Sequence, residues 1–235
     1  MIPITQIKQF TFILFLAILA SGVGCSKISS DIIATVNGES VSVAEFEARM
    51  PEFRATVVQY FRRNYKTEYC QGFWTTSYGG EIPGEILREQ TLDKLVEIKL
   101  QQILAREKGL LKDISYTAYL KQWQQENEQR KIAMDTGKVI FGPVNYDEQM
   151  YFRYFMSKVT LALKQQLAEQ DFKISDDALW QYYEKKQSIA KFGTFENQRQ
   201  FIKDRYIDEQ YEALLRRLKI TANININEQI FRRIF

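Results

Sequence analysis

The sequence contains no histidine, so any side chain that attacks or protonates a substrate would have to be of another type. Without an imidazole, no Ser–His or Cys–His nucleophile can be assembled, and the commonest general base and metal ligand are both missing. The two cysteines, Cys25 and Cys70, are too few for a disulfide framework or a cysteine-rich zinc site. The sequence therefore predicts neither a metal site nor a cofactor.

Other catalytic motifs are equally weak. The acidic pair Asp176 and Asp177 is explained as the start of a helix, where carboxylates face the positive end of the helix dipole. Carboxylate pairs could serve a glycosidase, but no spacing singles one out. Tyr78–Gly80 lacks the spacing and the lysine of a phosphate-binding loop. These observations favour a protein that is not an enzyme.

Cys25 has the strongest chemical signal. Residues 1–24 have a basic start and an apolar run, Phe10–Ala20, which is too short for a transmembrane helix of about 20 residues. Small residues then lead to Cys25, and this segment resembles a bacterial lipobox, although Gly22 stands where lipoproteins usually carry Leu. We expect residues 1–24 to be a lipoprotein signal peptide. The alternative is an ordinary signal peptide with an incidental cysteine.

Lipidation of Cys25 would place the protein in the bacterial cell envelope. Residues 25–31 would form a lipidated tether, anchored on the outer face of the cytoplasmic membrane or on the periplasmic side in a two-membrane bacterium. The net charge of +3 comes from interspersed acidic and basic residues, so we expect no binding to nucleic acid. The expected partners are the membrane, through the anchor, and other polypeptides.

Aromatic residues mark two candidate contact regions for such polypeptides. The glycine-rich stretch Tyr69–Glu85 contains Phe73, Trp74 and Tyr78 and is predicted to be a loop. Its rings could touch extended, unfolded clients, or the loop could fold them back onto the helices, which is the favoured interpretation. Further along the chain, Tyr151 and Phe155 belong to a ring-rich helix whose aromatic face is expected to be mostly core.

The elements that position these residues are organised around one helix, Ile86–Lys108. Its apolar residues recur at helical spacing, and charged and amide residues occupy the other face. Gly109 follows and can adopt the left-handed conformation that ends a helix. Further helices are predicted at Tyr116–Met134, Tyr146–Gln170 (capped by Asn145), Ile174–Lys186 and Phe195–Leu218.

The two ends of the folded region read as strands. Ile32–Val36 precedes an Asn-Gly turn, and Ser42 with Glu45 forms a capping box that starts a helix. Ile220–Asn227 alternates strictly between apolar and polar residues, which is typical of a half-buried strand. Each strand needs a partner for its backbone groups, so we expect Ile32–Val36 to pair with Ala222–Ile226. The predicted fold is mainly α, with a small two- or three-stranded antiparallel sheet, in one domain at 32–235.

Several segments, in order, resemble the SurA/PrsA-type extracytoplasmic chaperones, which share helical architecture with trigger factor. Ile33–Glu47 is similar to their opening strand, turn and helix, and Leu92–Leu110 to their central helix. Ile174–Gln187 resembles the stretch that leads into their parvulin-type prolyl isomerase domain. The closing helix and strand resemble the segment that returns from it. The resemblance implies binding of unfolded or secreted polypeptides in an apolar groove between helices.

The chain departs from this pattern at the isomerase. Between Gln187 and Phe195 there is space for a turn but not for a parvulin domain. The catalytic histidines of that domain are also missing. The resemblance therefore implies the chaperone module without the parvulin insertion at 187–195. Two alternatives remain open, a peptidyl-prolyl isomerase-family foldase and a ligand-capturing or structural lipoprotein.

Overall fold

The computed structural model describes residues 31–187 and 193–234. Within these ranges the chain is mainly helical with a small antiparallel sheet, as predicted. Cys25 and the predicted signal peptide, residues 1–24, lie outside the described residues. The elements follow in the order β1 (Ile32–Val36), β2 (Glu39–Ser42), α1 (Val43–Arg49), α2 (Pro51–Tyr65), α3 (Pro83–Glu107), α4 (Tyr116–Asp135), α5 (Glu148–Gln170), α6 (Asp176–Gln187), α7 (Phe195–Thr221), β3 (Ile224–Ile226) and α8 (Glu228–Phe231).

The sheet has the strand order β2-β1-β3, so β1 lies in the centre. Asn37 and Gly38 have φ angles of 50° and 85°, and these left-handed conformations make the tight turn between β1 and β2. On its other edge β1 pairs antiparallel with β3, and Thr35 faces Asn225. The predicted pairing of the two chain ends is confirmed.

Local capping signals explain how the first helices begin. The Ser42 side-chain oxygen accepts a hydrogen bond from the backbone N–H of Glu45 at 3.1 Å, as the capping box predicts. Pro51 is the first residue of α2, where its missing N–H would have no helical partner anyway. The proline therefore separates α1 from α2 and starts the second helix.

Helix α3 packs against α1, α2, α5, α7 and β1, and it is the central element of the domain. It begins at Pro83, three residues earlier than predicted, and Gly109 follows its end with φ +74°. The face expected to be solvated is partly buried, since Lys99 is 0% exposed and Gln102 is 4% exposed. The buried lysine is matched by a charge on α1, described below.

The structure corrects two predicted boundaries. The predicted strand Ile220–Asn227 is helical through Thr221, and β3 covers only Ile224–Ile226, whose residues are exposed. Helix α5 is capped by Asp147, whose carboxylate accepts from the Met150 N–H at 2.6 Å, and not by Asn145.

The late start of α5 has a cause in α4. Asn127 accepts a hydrogen bond from the Tyr146 N–H at 2.8 Å, and the Trp123 indole donates to the Tyr146 carbonyl at 2.8 Å. These two side chains engage both backbone groups of Tyr146, so the helix starts beyond that residue.

Candidate functional site

Helix α5 presents two different faces. One face is buried against α3 and α7 through an apolar stripe that includes Val159, Leu163 and Leu167. The opposite side carries Leu161, which is 70% exposed although it lies between two of these core residues. Leucine is costly to leave in water, so this exposed face is the first place to look for a binding surface.

Two adjoining cavities form a groove along this face, and we call it the α5 groove. The first, of about 540 Å³, lies between α5 and α3, and the second, of about 430 Å³, lies between α5 and α7. Both are lined by Leu161, Lys164 and Asp208, so they meet at these residues. From Phe152 to Glu169 the groove follows about 25 Å of helix, at 1.5 Å per residue.

The floor of the α5 groove is apolar. Ile98 of α3 and Phe152 of α5 line its first half while remaining 3% and 6% exposed. Met156 adds a flexible thioether side chain there, and Ile207 of α7 lines the second half. Methionine adapts to differently shaped partners, so the floor suits apolar groups of varied shape.

One ion pair crosses the groove where its halves meet. The Lys164 ammonium lies 2.7 Å from a carboxylate oxygen of Asp208, which joins α5 to α7. Both side chains are partly exposed, and such pairs contribute only about 0–1 kcal/mol. This bridge can therefore open at little cost when another molecule occupies the groove.

A hydrogen-bonded set ties the three helices together beneath that bridge. Thr160 of α5 and Tyr211 of α7 both donate to the amide oxygen of Gln101 of α3, each at 3.1 Å. Burial raises the pKa of Tyr211 to about 12, so its hydroxyl stays protonated and donates at physiological pH. The walls of the groove are thereby held at fixed spacing.

A buried cation supports the floor. The Arg49 guanidinium lies 3.8 Å from the centre of the Phe152 ring, an arrangement that attracts a cation to the face of the ring. It also pairs with Glu52 at 3.3 Å and with Glu148 at the start of α5. Arg49 is 0% exposed, so α1 fixes the position of this end of α5.

A second buried pair joins α1 to α3 next to Ile98. The Lys99 ammonium lies 3.1 Å from the Glu45 carboxylate, and Lys99 also donates to the Ile114 carbonyl at 3.4 Å. Burial raises the pKa of Glu45, and the attraction of Lys99 acts in the opposite direction. The two charges therefore depend on each other, because either one alone would be buried without compensation.

The groups lining the groove can bind a partner through apolar contact and hydrogen bonds. Within residues 31–187 and 193–234, no group of three or more His, Cys, Asp or Glu side chains lies close enough to hold a metal ion. No helix in that part of the chain is both long and apolar enough to cross a bilayer.

The predicted contact residues of the aromatic loop pack against other rings and do not form an exposed surface. Phe73 is 1% exposed, and its ring centre lies 5.9 Å from that of Phe61 of α2 and 5.1 Å from that of Trp74. Tyr78 packs against the same α2 ring at 5.7 Å. The loop thus folds its rings onto the helices. Client contact by Phe73, Trp74 and Tyr78 stays a prediction, and the partly exposed Trp74 and Tyr78 are better placed for it.

Tyr151 and Phe155 belong to a separate aromatic cluster. Both pack against Tyr119 of α4, with ring centres 5.7 Å and 5.6 Å away. They line a smaller cavity of about 310 Å³ that is distinct from the α5 groove. The structure therefore does not bring the five predicted contact residues together. The sequence analysis did not identify Leu161. The signal that could have found it is that this apolar residue does not fall on the helical face of Val159, Leu163 and Leu167.

Comparisons with known proteins add one similarity. No protein-family model and no solved structure matches the chain. The protein named Foldase protein PrsA from Caldanaerobacter subterraneus subsp. tengcongensis is 27% identical over 187 residues, which cover 73% of this chain and 50% of that protein. The chain thus spans about half the length of this curated relative. In sequence it is similar, at low identity, to a PrsA-type foldase.

Proposed function

We propose that this protein binds unfolded or newly exported polypeptides in the α5 groove and so acts as a chaperone. The observation that carries the proposal is Leu161, a leucine that is 70% exposed and lines both halves of an apolar-floored groove. The similarity to a protein named as a foldase supports the same class of activity.

The dimensions of the groove fit a short extended segment. About 25 Å accommodates roughly seven residues of a chain that rises about 3.4 Å per residue. Alternate apolar side chains of such a segment would cover Leu161 and the floor. Burial contributes about 25 cal/mol per Å² before ordering costs, so a few side chains give weak binding. A chaperone needs weak binding because its clients must leave.

An aggregation assay tests the groove directly. The protein is added to a reduced, unfolded client, and light scattering is followed for the wild type, Leu161→Asp and the matched control Ile220→Asp. Ile220 is 83% exposed at the end of α7 and does not line the groove. We expect the wild type and the control to suppress scattering equally and Leu161→Asp to lose most of the effect. Equal suppression by all three would contradict the groove, and no suppression by the wild type would contradict the function.

We further propose that Cys25 carries the lipid anchor and that the protein works at the outer face of a bacterial membrane. The support is the resemblance of the segment before Cys25 to a lipobox. Replacement of Cys25 by Ala should move the protein from the membrane fraction to the soluble fraction, whereas Cys70→Ala should leave it in place. Full membrane retention of the Cys25 variant would refute the anchor.

Isomerase activity is the second candidate, because the PrsA relative is named a foldase. Helix α6 ends at Gln187 and α7 begins at Phe195, so we propose that the chain works without a parvulin insertion between them. A proline-limited refolding assay separates the two candidates. Acceleration of the slow phase at substoichiometric protein would favour the isomerase, and an unchanged slow phase would favour the chaperone.

A further inference from the structure

The connection between α4 and α5 carries a group of exposed apolar side chains away from the α5 groove. Val139 is 83% exposed and Phe141 is 87% exposed. We define the apolar tip as these two residues together with the exposed Ile132, Met134 and Val144. Isolated exposed apolar residues are ordinary on protein surfaces, but five of them within residues 132–144 make the end of α4 and the following loop a candidate interaction site.

Hydrogen bonds fix the backbone conformation of the loop that carries the apolar tip. The Arg130 guanidinium donates to the Pro143 carbonyl at 2.8 Å and to the carbonyl of Phe141, and it also lies 4.7 Å over the ring of Tyr146. At the end of α4, the Lys138 N–H donates to the Ala133 carbonyl at 2.8 Å. The backbone is therefore fixed from inside while Val139 and Phe141 point outward.

The tip lies at the end of a polar shaft. Helix α4 has one buried residue, Tyr119, near its start. From there to Asp135 the helix extends about 24 Å, at 1.5 Å per residue. Its residues between 121 and 131 are almost all Gln, Glu, Asn, Lys and Arg. Apart from Trp123, whose indole donates to the Tyr146 carbonyl, apolar side chains appear only at the end of this stretch, beyond which Val139 and Phe141 project outward. Met134 and Val144 also line a cavity of about 540 Å³ beside α4, whereas Val139 and Phe141 project into solvent. The projection of these two side chains fits a soft apolar layer better than it fits an extended chain, which needs a groove.

The charges beside the tip favour an anionic surface. Lys131 and Lys138 are exposed on either side of Ile132 and Met134, and Lys138 directly precedes Val139. Asp135 is the one acidic residue between 131 and 144. Basic residues next to apolar side chains are typical of segments that bind anionic membranes.

We propose that the apolar tip docks on a lipid bilayer, with Val139 and Phe141 inserted among the lipids and Lys131 and Lys138 against anionic headgroups. This contact is independent of the α5 groove. Together with a lipid at Cys25 it would supply the second of the two signals that stable anchoring requires, and it would orient the domain relative to the membrane.

An environment-sensitive dye tests the proposal in the full chain. Residue Val139 is replaced by Cys and labelled, in a background with Cys25→Ser and Cys70→Ser. The control carries the label at Ile220→Cys, which is equally exposed at the far end of α7. We expect vesicles of phosphatidylcholine and phosphatidylglycerol to raise the emission at 139 but not at 220. Adding Phe141→Ser should increase the lipid concentration for half-maximal response about tenfold, and pure phosphatidylcholine should also weaken it about tenfold.

Several results would overturn the proposal. An unchanged signal at position 139, or equal signals at 139 and 220, would show that the tip is not the membrane contact. Equal responses to both vesicle types would refute the role of Lys131 and Lys138. A label at 139 that responds to an unfolded client but not to vesicles would assign the tip to polypeptide. If Leu161→Asp suppresses aggregation as well as the wild type does, the α5 groove is contradicted, but the proposal for the apolar tip is unaffected.

Discussion

Replacement of Lys99 by Met isolates the buried charge pair that joins α1 to α3. Methionine has a similar length, so it fills the space and removes only the ammonium group. Lys99 and Glu45 have side chains 0% and 3% exposed, and their charged atoms lie 3.1 Å apart. The variant therefore leaves the Glu45 carboxylate buried without its partner.

The expected loss of stability is large. Removing one partner of a buried pair costs about 3–5 kcal/mol, out of a total free energy of unfolding of about 5–15 kcal/mol. The double variant Glu45→Leu with Lys99→Met removes both charges and replaces them with apolar groups. We expect it to recover to within about 1–2 kcal/mol of the wild type, because no uncompensated charge remains.

The pH dependence follows from the pKa of Glu45. Burial already raises this pKa above 4.5, and loss of the Lys99 attraction raises it further. The folded variant then keeps a proton on Glu45 at pH values where the unfolded chain has released it. The free energy of unfolding of Lys99→Met should therefore rise relative to that of the wild type as the pH falls from about 8 to about 5.

Urea unfolding followed by tryptophan fluorescence measures these free energies at each pH. Three results would refute the reasoning: a loss below about 1 kcal/mol for Lys99→Met, a double variant no more stable than the single one, or a deficit that grows as the pH falls. The first would mean that Glu45 finds water or another donor in the variant.

Four further substitutions test other features of the fold. Leu163→Ala should lower the free energy of unfolding by about 2–5 kcal/mol because Leu163 is 0% exposed. Leu161→Ala should lower it by less than about 0.5 kcal/mol and weaken client binding instead. Comparable losses of stability in urea unfolding would contradict the assignment of a buried and an exposed face to α5. Gly79→Ala and its control Gly80→Ala both strain the backbone, because the two glycines have φ angles of +61° and +95°. Only the Cβ at position 79 also lies 2.5 Å from a ring carbon of Tyr65, so the melting temperature of Gly79→Ala should fall further than that of Gly80→Ala. Ser42→Ala removes a cap and should cost about 1 kcal/mol, and an unchanged urea midpoint would show that the cap is replaced.

Local signals allowed the sequence to predict many elements correctly. The Asn37-Gly38 turn and the Ser42 cap each act through backbone preferences of one or two residues, and the structure has them as expected. The pairing of β1 with β3 was also predictable, because two isolated strands have unpaired backbone groups and few candidate partners.

The predictions from sequence were wrong where residues distant in the chain determine the local structure. Alternation from Ile220 predicted a strand, but two of those residues continue α7. Hydrogen bonds from α4 to Tyr146 shifted the start of α5. The α5 groove could not be predicted, since its walls come from α3 and α7, whose placement depends on packing. Leu161 by itself is only an exposed leucine. It indicates a binding surface because Lys164 of α5 and Asp208 of α7 line the same two cavities.

The central position of β1 has a consequence for the order in which the domain can form. Its partner β2 emerges a few residues later during synthesis, but β3 emerges only after all the long helices, since Thr35 faces Asn225. Until then one edge of β1 is open, and open edges invite pairing with other chains. A protein proposed to shelter others from aggregation is therefore itself vulnerable to it until Ile224–Ile226 have paired with β1.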